Sequence, residues 1–154
     1  MTDPAPPRIR PTALAVITRG DDLLVSLSDD PTKDEVYFRP LGGGVDFGET
    51  AEAALRREMR EELAVDLDNI QLLGVLENIF VGFGRPHHEI VFVFAADITD
   101  PSIYERDEVG VVLDEGSPVS WQPRRRFSVG DALLYPTGLL DLVTRSRGSD
   151  HPVG

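Results

Sequence analysis

Cysteine is absent from the 154 residues, which excludes disulfides and thiol catalysis and agrees with a reducing compartment. No apolar run approaches the roughly 18 residues of a membrane span. The opening MTDPAPPRIRP lacks the apolar core of a signal peptide, so a cytoplasmic protein is the expectation. Basic residues are scarce: 15 Lys and Arg stand against 27 Asp and Glu, a formal net charge of −12. Such a chain lacks the electrostatic footprint of a duplex nucleic-acid binder, and a polyphosphate substrate would have to be drawn in by metal ions and a few local Arg. No repeat, heptad or composition shift marks a second domain, and a chain that is 41% hydrophobic is long enough to bury one core.

What is present is concentrated in residues 43–65, GGVDFGETAEAALRREMREELAV, with acidic side chains at Glu49, Glu52, Glu58, Glu61 and Glu62. Gly43, Gly44 and Gly48 make the opening a turn, and Thr50 supplies an N-cap ahead of a run of strong helix formers ending near Leu63. Leu55, Met59 and Leu63 recur at four-residue spacing and give the helix an apolar stripe. At about 100° per residue, Glu58, Glu61 and Glu62 share one sector beside that stripe. A solvated face held by ion pairs such as Arg57 with Glu61 is the ordinary reading of a Glu/Arg-rich helix. Clustered Glu repel one another, however, unless a cation sits among them, and hard oxygen donors suit Mg²⁺ or Mn²⁺.

Around this stretch, residues 1–11 contain Pro4, Pro6, Pro7 and Pro11 and are expected to be a flexible arm, with one domain over 12–146 and a tail over 147–154. Residues 12–18 and 23–27 flank Arg19-Gly20-Asp21-Asp22 and predict a hairpin; 28–35 reads as a polar loop, and 36–38 as a short strand. Strands are expected over 70–77 and 90–96, the second apolar enough to be buried on both faces. Between them, 78–86 reads as a flexible loop whose Phe80 and Phe83 could stack on a base. Residues 97–117 read as acidic and irregular, 118–121 as a last strand, and Pro136 as the start of a helix turning Leu139, Leu140, Leu142 and Val143 inward.

The central stretch resembles the Nudix box: Gly, five residues, Glu, seven residues, Arg-Glu, an aliphatic, any residue, Glu-Glu, any residue, Gly, an aliphatic. Gly43, Glu49, Arg57, Glu58, Met59, Glu61, Glu62 and Val65 fall on it, an agreement expected by chance on the order of once in 10⁸ windows. Ala64 departs from it, standing where the family has the Gly of a left-handed helix cap. The resemblance implies an α/β fold, the Nudix-type α/β/α sandwich with a central mixed β-sheet. It also implies Mg²⁺- or Mn²⁺-dependent hydrolysis of a nucleoside diphosphate linked to another moiety, by attack of a metal-activated water on phosphorus.

Carried over by position, Glu58, Glu61 and Glu62 become metal ligands with the carbonyl of Gly43, while Glu49 and Arg57 become the salt bridge that ties loop to helix. An acid outside the box, with Glu115 as the first choice and Glu105, Asp107 and Glu108 as rivals, is expected to act as base or extra ligand. Arg39, Phe80 and Phe83 are the substrate-binding candidates. His87, His88 and the Arg124, Arg125, Arg126 cluster read more simply as solvated polar residues. The expected partner is a small-molecule nucleoside diphosphate derivative; neither duplex nucleic acid nor a membrane is expected, and a homodimer is allowed. Two rival functions are a nucleotide-sensing module that does not cleave and a diphosphate isomerase, whose Nudix-like form uses a Cys this chain lacks.

Overall fold

The structure, a computed structural model, describes residues 6–149. In chain order it runs β1 (Ile9–Val16), β2 (Thr18–Arg19), β3 (Asp22–Asp30), β4 (Glu35–Arg39), β5 (Leu41–Gly44), α1 (Ala51–Leu63), β6 (Leu67–Gly82) and β7 (Arg85–Ile98). After a 3₁₀ turn at Pro101–Glu105 follow β8 (Glu108–Val111), β9 (Pro118–Pro123), α2 (Arg124–Ser128) and α3 (Leu139–Ser149).

The first sheet has the order β5-β1-β7-β6, with β1 and β7 parallel and the outer pairs antiparallel. The second, antiparallel throughout, has the order β2-β3-β9-β8, with β4 also pairing with β3. Because side chains alternate along a strand, β1 sends Ala13 and Ala15 to one core, joined there by Ile17 just after it, and Leu14 and Val16 to the other. Leu55 and Met59 of α1 close the first core, and Leu139 and Val143 of α3 the second, so helices cover both faces of a mixed sheet. This is the expected α/β sandwich, and β7 is buried on both faces as its apolar run predicted. Among the described residues no helix is long and apolar enough to cross a membrane.

Several elements differ from the sequence-based expectation. Ile9, Arg10 and Pro11, placed in the arm, belong to β1 and pair with β7. The Pro11 carbonyl accepts the Val45 N–H at 3.0 Å, just past the end of β5, so its donor-less nitrogen falls where the ladder is finishing. The hairpin shrinks to two pairs, Thr18 with Leu23 and Arg19 with Asp22, around Gly20 at φ 59°. Residues 12–16 go instead between β5 and β7, because a segment apolar on both faces belongs in a sheet covered on both sides.

The loop expected over 78–86 is strand almost throughout, closed by Phe83 and Gly84 at φ 54° and 75°, the paired positive angles of a two-residue hairpin turn. The loop over 28–35 narrows to 31–34, the acidic stretch contains the 3₁₀ turn and β8, and the basic cluster forms α2. The last helix begins at Leu139, three residues after Pro136, and extends beyond the expected start of the tail; residues 1–5 and 150–154 lie outside the described residues.

Candidate functional site

The entry to α1 is built as the sequence implies. Thr50 Oγ1 accepts the Ala53 N–H at 3.1 Å, and the helix ends on Ala64 in the left-handed region at φ 56°, its N–H on the Arg60 carbonyl. Arg57 lies one turn from the C-terminal acids and ties together everything around it. Its Nη2 donates to Glu49 Oε1 at 2.6 Å and to the Gly44 carbonyl at 2.9 Å, and its Nε reaches Glu49 Oε2 at 3.3 Å. Its Nη1 donates to Glu58 Oε1 at 3.0 Å and meets both Glu61 oxygens at 3.4 Å. Glu49 also accepts the Asp46 N–H at 2.9 Å, so both ends of this pair are anchored in the loop. The guanidinium beside Glu49 is held strongly protonated, and the Glu49 carboxyl is held below its ordinary range by Arg57 first and the Asp46 N–H second.

The two acids that point inward are Glu58 and Glu62. The Glu58 carboxylate rests on Gly43: a Cβ there would stand 2.6–2.7 Å from its carboxyl atoms and would displace the carboxylate from this position. Glu62 Oε2 accepts the Gly42 N–H at 3.1 Å. Burial pushes the Glu62 carboxyl up to about 8; the Gly42 N–H opposes this, the Glu58 and Asp114 charges add to it, and Arg39 lowers it. Glu61 instead stays at the rim on Arg57, its side chain 51% exposed.

This donor set fits a hard divalent cation in kind, since two carboxylates are drawn together in a desolvated place and, among the described residues, no cation of the protein is hydrogen-bonded to Glu62. Among the described residues, no three acidic or His side chains surround a common point. Glu58 and Glu62 are therefore the convergent pair, with Glu61 beside them and turned toward Arg57.

Of the acids expected from outside the box, Glu115 is exposed and accepts the Ser117 hydroxyl at 2.9 Å. The same loop is pinned to the end of α1 by the Leu113 N–H on the Glu62 carbonyl at 2.9 Å, and its residue whose charge reaches Glu62 is Asp114. Of the rivals, Asp107 is bound by Arg19 at 2.8 Å, and Glu105 and Glu108 are exposed. Only the neighbouring acid in 113–117 could have hinted at Asp114, since spacing to Trp121 does not distinguish adjacent loop residues.

Arg39, Phe80 and Phe83 come from β4, β6 and the β6–β7 turn, yet line one cleft between the sheets, of about 170 Å³. Phe80 lies flat on His87, centroids 4.8 Å apart at 11°, and His88 meets Glu77 at 3.2 Å. Arg124 and Arg126 are occupied by Asp21 and Gln122. Sequence reasoning missed the rest of the cleft's polar lining, Asp30, Lys33, Glu35, Asn78 and Glu89 among it, because strand pairing and not a local motif brings these residues there.

Comparison with known proteins places this geometry. A model of the NUDIX domain matches residues 8–135. The chain is 34% identical over 153 residues to the NAD-capped RNA hydrolase NudC of Pseudomonas putida, an alignment covering 95% of this chain and 49% of that protein. It is 29% identical over 103 residues to the NudC of Pseudomonas aeruginosa, covering 67% of this chain and 34% of that one. The chain thus spans about half the length, or less, of these curated relatives. Among solved structures it resembles a NUDIX hydrolase from Nitrosomonas europaea (TM-score 0.68, 18% identity, 95% of this chain and 94% of that one). It also resembles a MutT NUDIX hydrolase from Burkholderia pseudomallei (TM-score 0.60, 24% identity, 88% and 95%). At these identities the structural likeness speaks for the fold alone.

Proposed function

The chain belongs to the NUDIX family, and on that premise we propose that it is a pyrophosphohydrolase, cleaving a nucleoside diphosphate linked to another moiety by attack of water on phosphorus. The observation that carries this reading is the approach of Glu58 and Glu62 to the backbone of Gly43 and Gly42, beside the Arg57 network. Hydrolases of this family generally use divalent metals. Glu58 and Glu62, with Glu61 and the Gly43 carbonyl, are the groups that would hold Mg²⁺ or Mn²⁺. Such a cation supplies neutralisation of the phosphate oxygens and a more acidic water.

The chain's own residues do the rest. Arg57 and Glu49 keep the loop and α1 in one geometry, so the carboxylates stay aimed while substrate charge enters. Arg39, near Glu62 and lining the cleft, is placed to take a phosphate oxygen, and Asp114 to take a proton from the attacking water. The name of the Pseudomonas relatives brings dinucleotides such as NAD, two nucleotides joined by a pyrophosphate, into the set of substrates to test.

The experiment is a phosphate- and nucleotide-release screen with Mg²⁺ and Mn²⁺ over nucleoside triphosphates, nucleotide sugars, NAD-type dinucleotides and NAD-capped RNA. Divalent-dependent release of a nucleoside monophosphate from at least one of them, lost in Glu62→Gln, is expected. Absence of release across the panel with folded wild-type protein would overturn the reading.

A further inference from the structure

We propose that a second cavity, outside the cleft between the sheets, is a subsite for a second nucleoside of the substrate, with Phe47 the platform for its ring and Arg10 the contact for the phosphate that carries it. The inference rests on the reading that the substrate is a nucleoside diphosphate linked to another moiety, and it names the class of that moiety.

This cavity, of about 540 Å³, lies where the first residues of β1 and β7 meet the loop between β5 and α1, with Ile9, Pro11, Val45, Phe47 and Pro86 as its apolar wall. Gly44 belongs to it, one residue from the Gly43 on which Glu58 rests, so the cavity begins beside the acids. Glu89 lines both this cavity and the cleft between the sheets. A diphosphate at Glu58 and Glu62 therefore has a cavity to either side, and a molecule with a ring at each end has a place for both.

Phe47 is 109% exposed, yet the turn that carries it is closed on itself. The Asp46 N–H donates to Glu49 Oε1 at 2.9 Å, the Glu49 N–H donates to the Asp46 carbonyl at 3.1 Å, and Gly48 takes φ 89°. Single exposed apolar side chains are ordinary on a protein surface. This ring instead stands around one hollow with Ile9, itself 57% exposed, and with the exposed Pro11 and Pro86. A phenyl ring held out on a closed turn beside such a hollow is suited to stack on a planar heterocycle.

The wall also admits a phosphate. Its Arg and acidic residues are Arg8, Arg10, Asp46 and Glu89, formally balanced in a chain of net charge −12. Asp46 is met by Arg57 Nη2 at 3.5 Å, and Glu89 by Arg10 Nη1 at 3.9 Å, longer than a hydrogen bond. His87 and His88 are engaged through Nε2, with the Gly82 carbonyl at 3.1 Å and Glu77 at 3.2 Å. Arg10 is the cation nearest the acid site along this wall: a Cβ on Gly44 would stand 2.7 Å from its Nη2 and 3.2 Å from its Nε, so the guanidinium lies against the Gly44 backbone. With its side chain 63% exposed and its one ion pair long, it has donors to offer a phosphate oxygen, on the far side of the diphosphate from Arg39.

The test is equilibrium binding of ADP-ribose and diadenosine diphosphate to the full chain with chelator present, followed by ¹H–¹⁵N NMR titration. The two ligands carry the same diphosphate diester and one adenosine, and differ by the second base; neither metal nor turnover is needed. Diadenosine diphosphate is expected to bind about 10-fold tighter, and to shift the amides of residues 44–48 where ADP-ribose does not. Phe47→Ala, a change at a fully exposed side chain, should bring the ratio to about one. Arg10→Gln should weaken both ligands by about 5-fold or more, and Arg10→Lys should restore part of the loss.

Equal Kd for the two ligands, an unchanged ratio in Phe47→Ala, or a dimer that Phe47→Ala dissociates while the ratio stays unchanged would each overturn the assignment, the last by giving this face to a second copy of the chain. Unaltered binding in Arg10→Gln would remove the role of Arg10. Tighter binding of the dinucleotide without any hydrolysis would leave the subsite standing and remove the hydrolase reading, and hydrolysis with a ratio of one would do the reverse.

Discussion

The two ends of α1 handle charge in opposite ways. At the loop junction, Arg57 meets four acids within 3.5 Å and a carbonyl besides, so negative charge there is compensated and the geometry is over-determined. At the C-terminal end, Glu62 is desolvated against one backbone N–H, with Glu58 and Asp114 adding like charge. Clustered carboxylates in a desolvated place are unfavourable for the protein alone, and the rigid junction is what prevents them from relaxing apart. The contrast teaches which end is framework and which is chemistry, and each prediction below breaks or sharpens it.

The largest effect is expected at the convergent pair, Glu62 and Glu58. Glu62→Gln or Glu58→Gln should lower turnover at least about 10²-fold, and Glu61→Gln less, since Glu61 sits at the rim on Arg57. Steady-state kinetics at saturating Mg²⁺ check this, and equal losses in all three would erase the distinction between rim and interior.

The same carboxyl predicts a pH dependence of metal-free stability. With its pKa raised from 4.5 to about 8 in the folded state, Glu62 stays protonated over a range where the unfolded chain ionises, so unfolding releases a proton. Stability should therefore fall as pH rises from about 4.5 to about 8 and then level, and Glu62→Gln should flatten that slope in urea titrations with chelator.

The compensated end should fail differently. Arg57→Ala leaves Glu49 and Glu58 without their partner and should cost about 1–3 kcal/mol by denaturant titration, with a smaller loss of turnover than Glu62→Gln. A turnover loss as deep as that of Glu62→Gln with stability unchanged would move Arg57 from framework to chemistry.

In the loop beside the acids, Asp114→Asn is expected to depress kcat by about 10-fold or more and flatten the acid limb of the pH profile, while Glu115→Gln stays near wild type. The opposite order would return the proton-accepting role to Glu115.

The smallest effect is at the helix exit. With Ala64 at φ 56°, Ala64→Gly should stabilise by up to about 1 kcal/mol without altering the rate, read as a shift in the denaturation midpoint.

The loop, the Thr50 cap and the stripe of Leu55 and Met59 were legible in the sequence, because each joins residues a few positions apart, within reach of local geometry, while the bridge of Arg57 to Glu49 was implied only by the family resemblance. The left-handed Ala64 was legible from the one place where the chain departs from its family's pattern. Residues 9–11 were misread because proline content argues about the donors of a segment and is silent on where the neighbouring strand stops. The 78–86 hairpin was misread because Gly82 and Gly84 look like a flexible loop when their cross-strand partners are unseen.

What the sequence by itself determined is the acid-bearing helix, its glycine-rich entry and the family they imply, since helix periodicity and turn chemistry are properties of neighbouring residues. The tertiary structure alone decided which acids face inward, that the charge of Asp114 reaches Glu62, and that Asp30 reaches Phe83 across 53 positions. Those facts depend on sheet register and on loops pinned by backbone hydrogen bonds. A one-residue change in either turns a side chain to the opposite face, and no local pattern records which face was chosen.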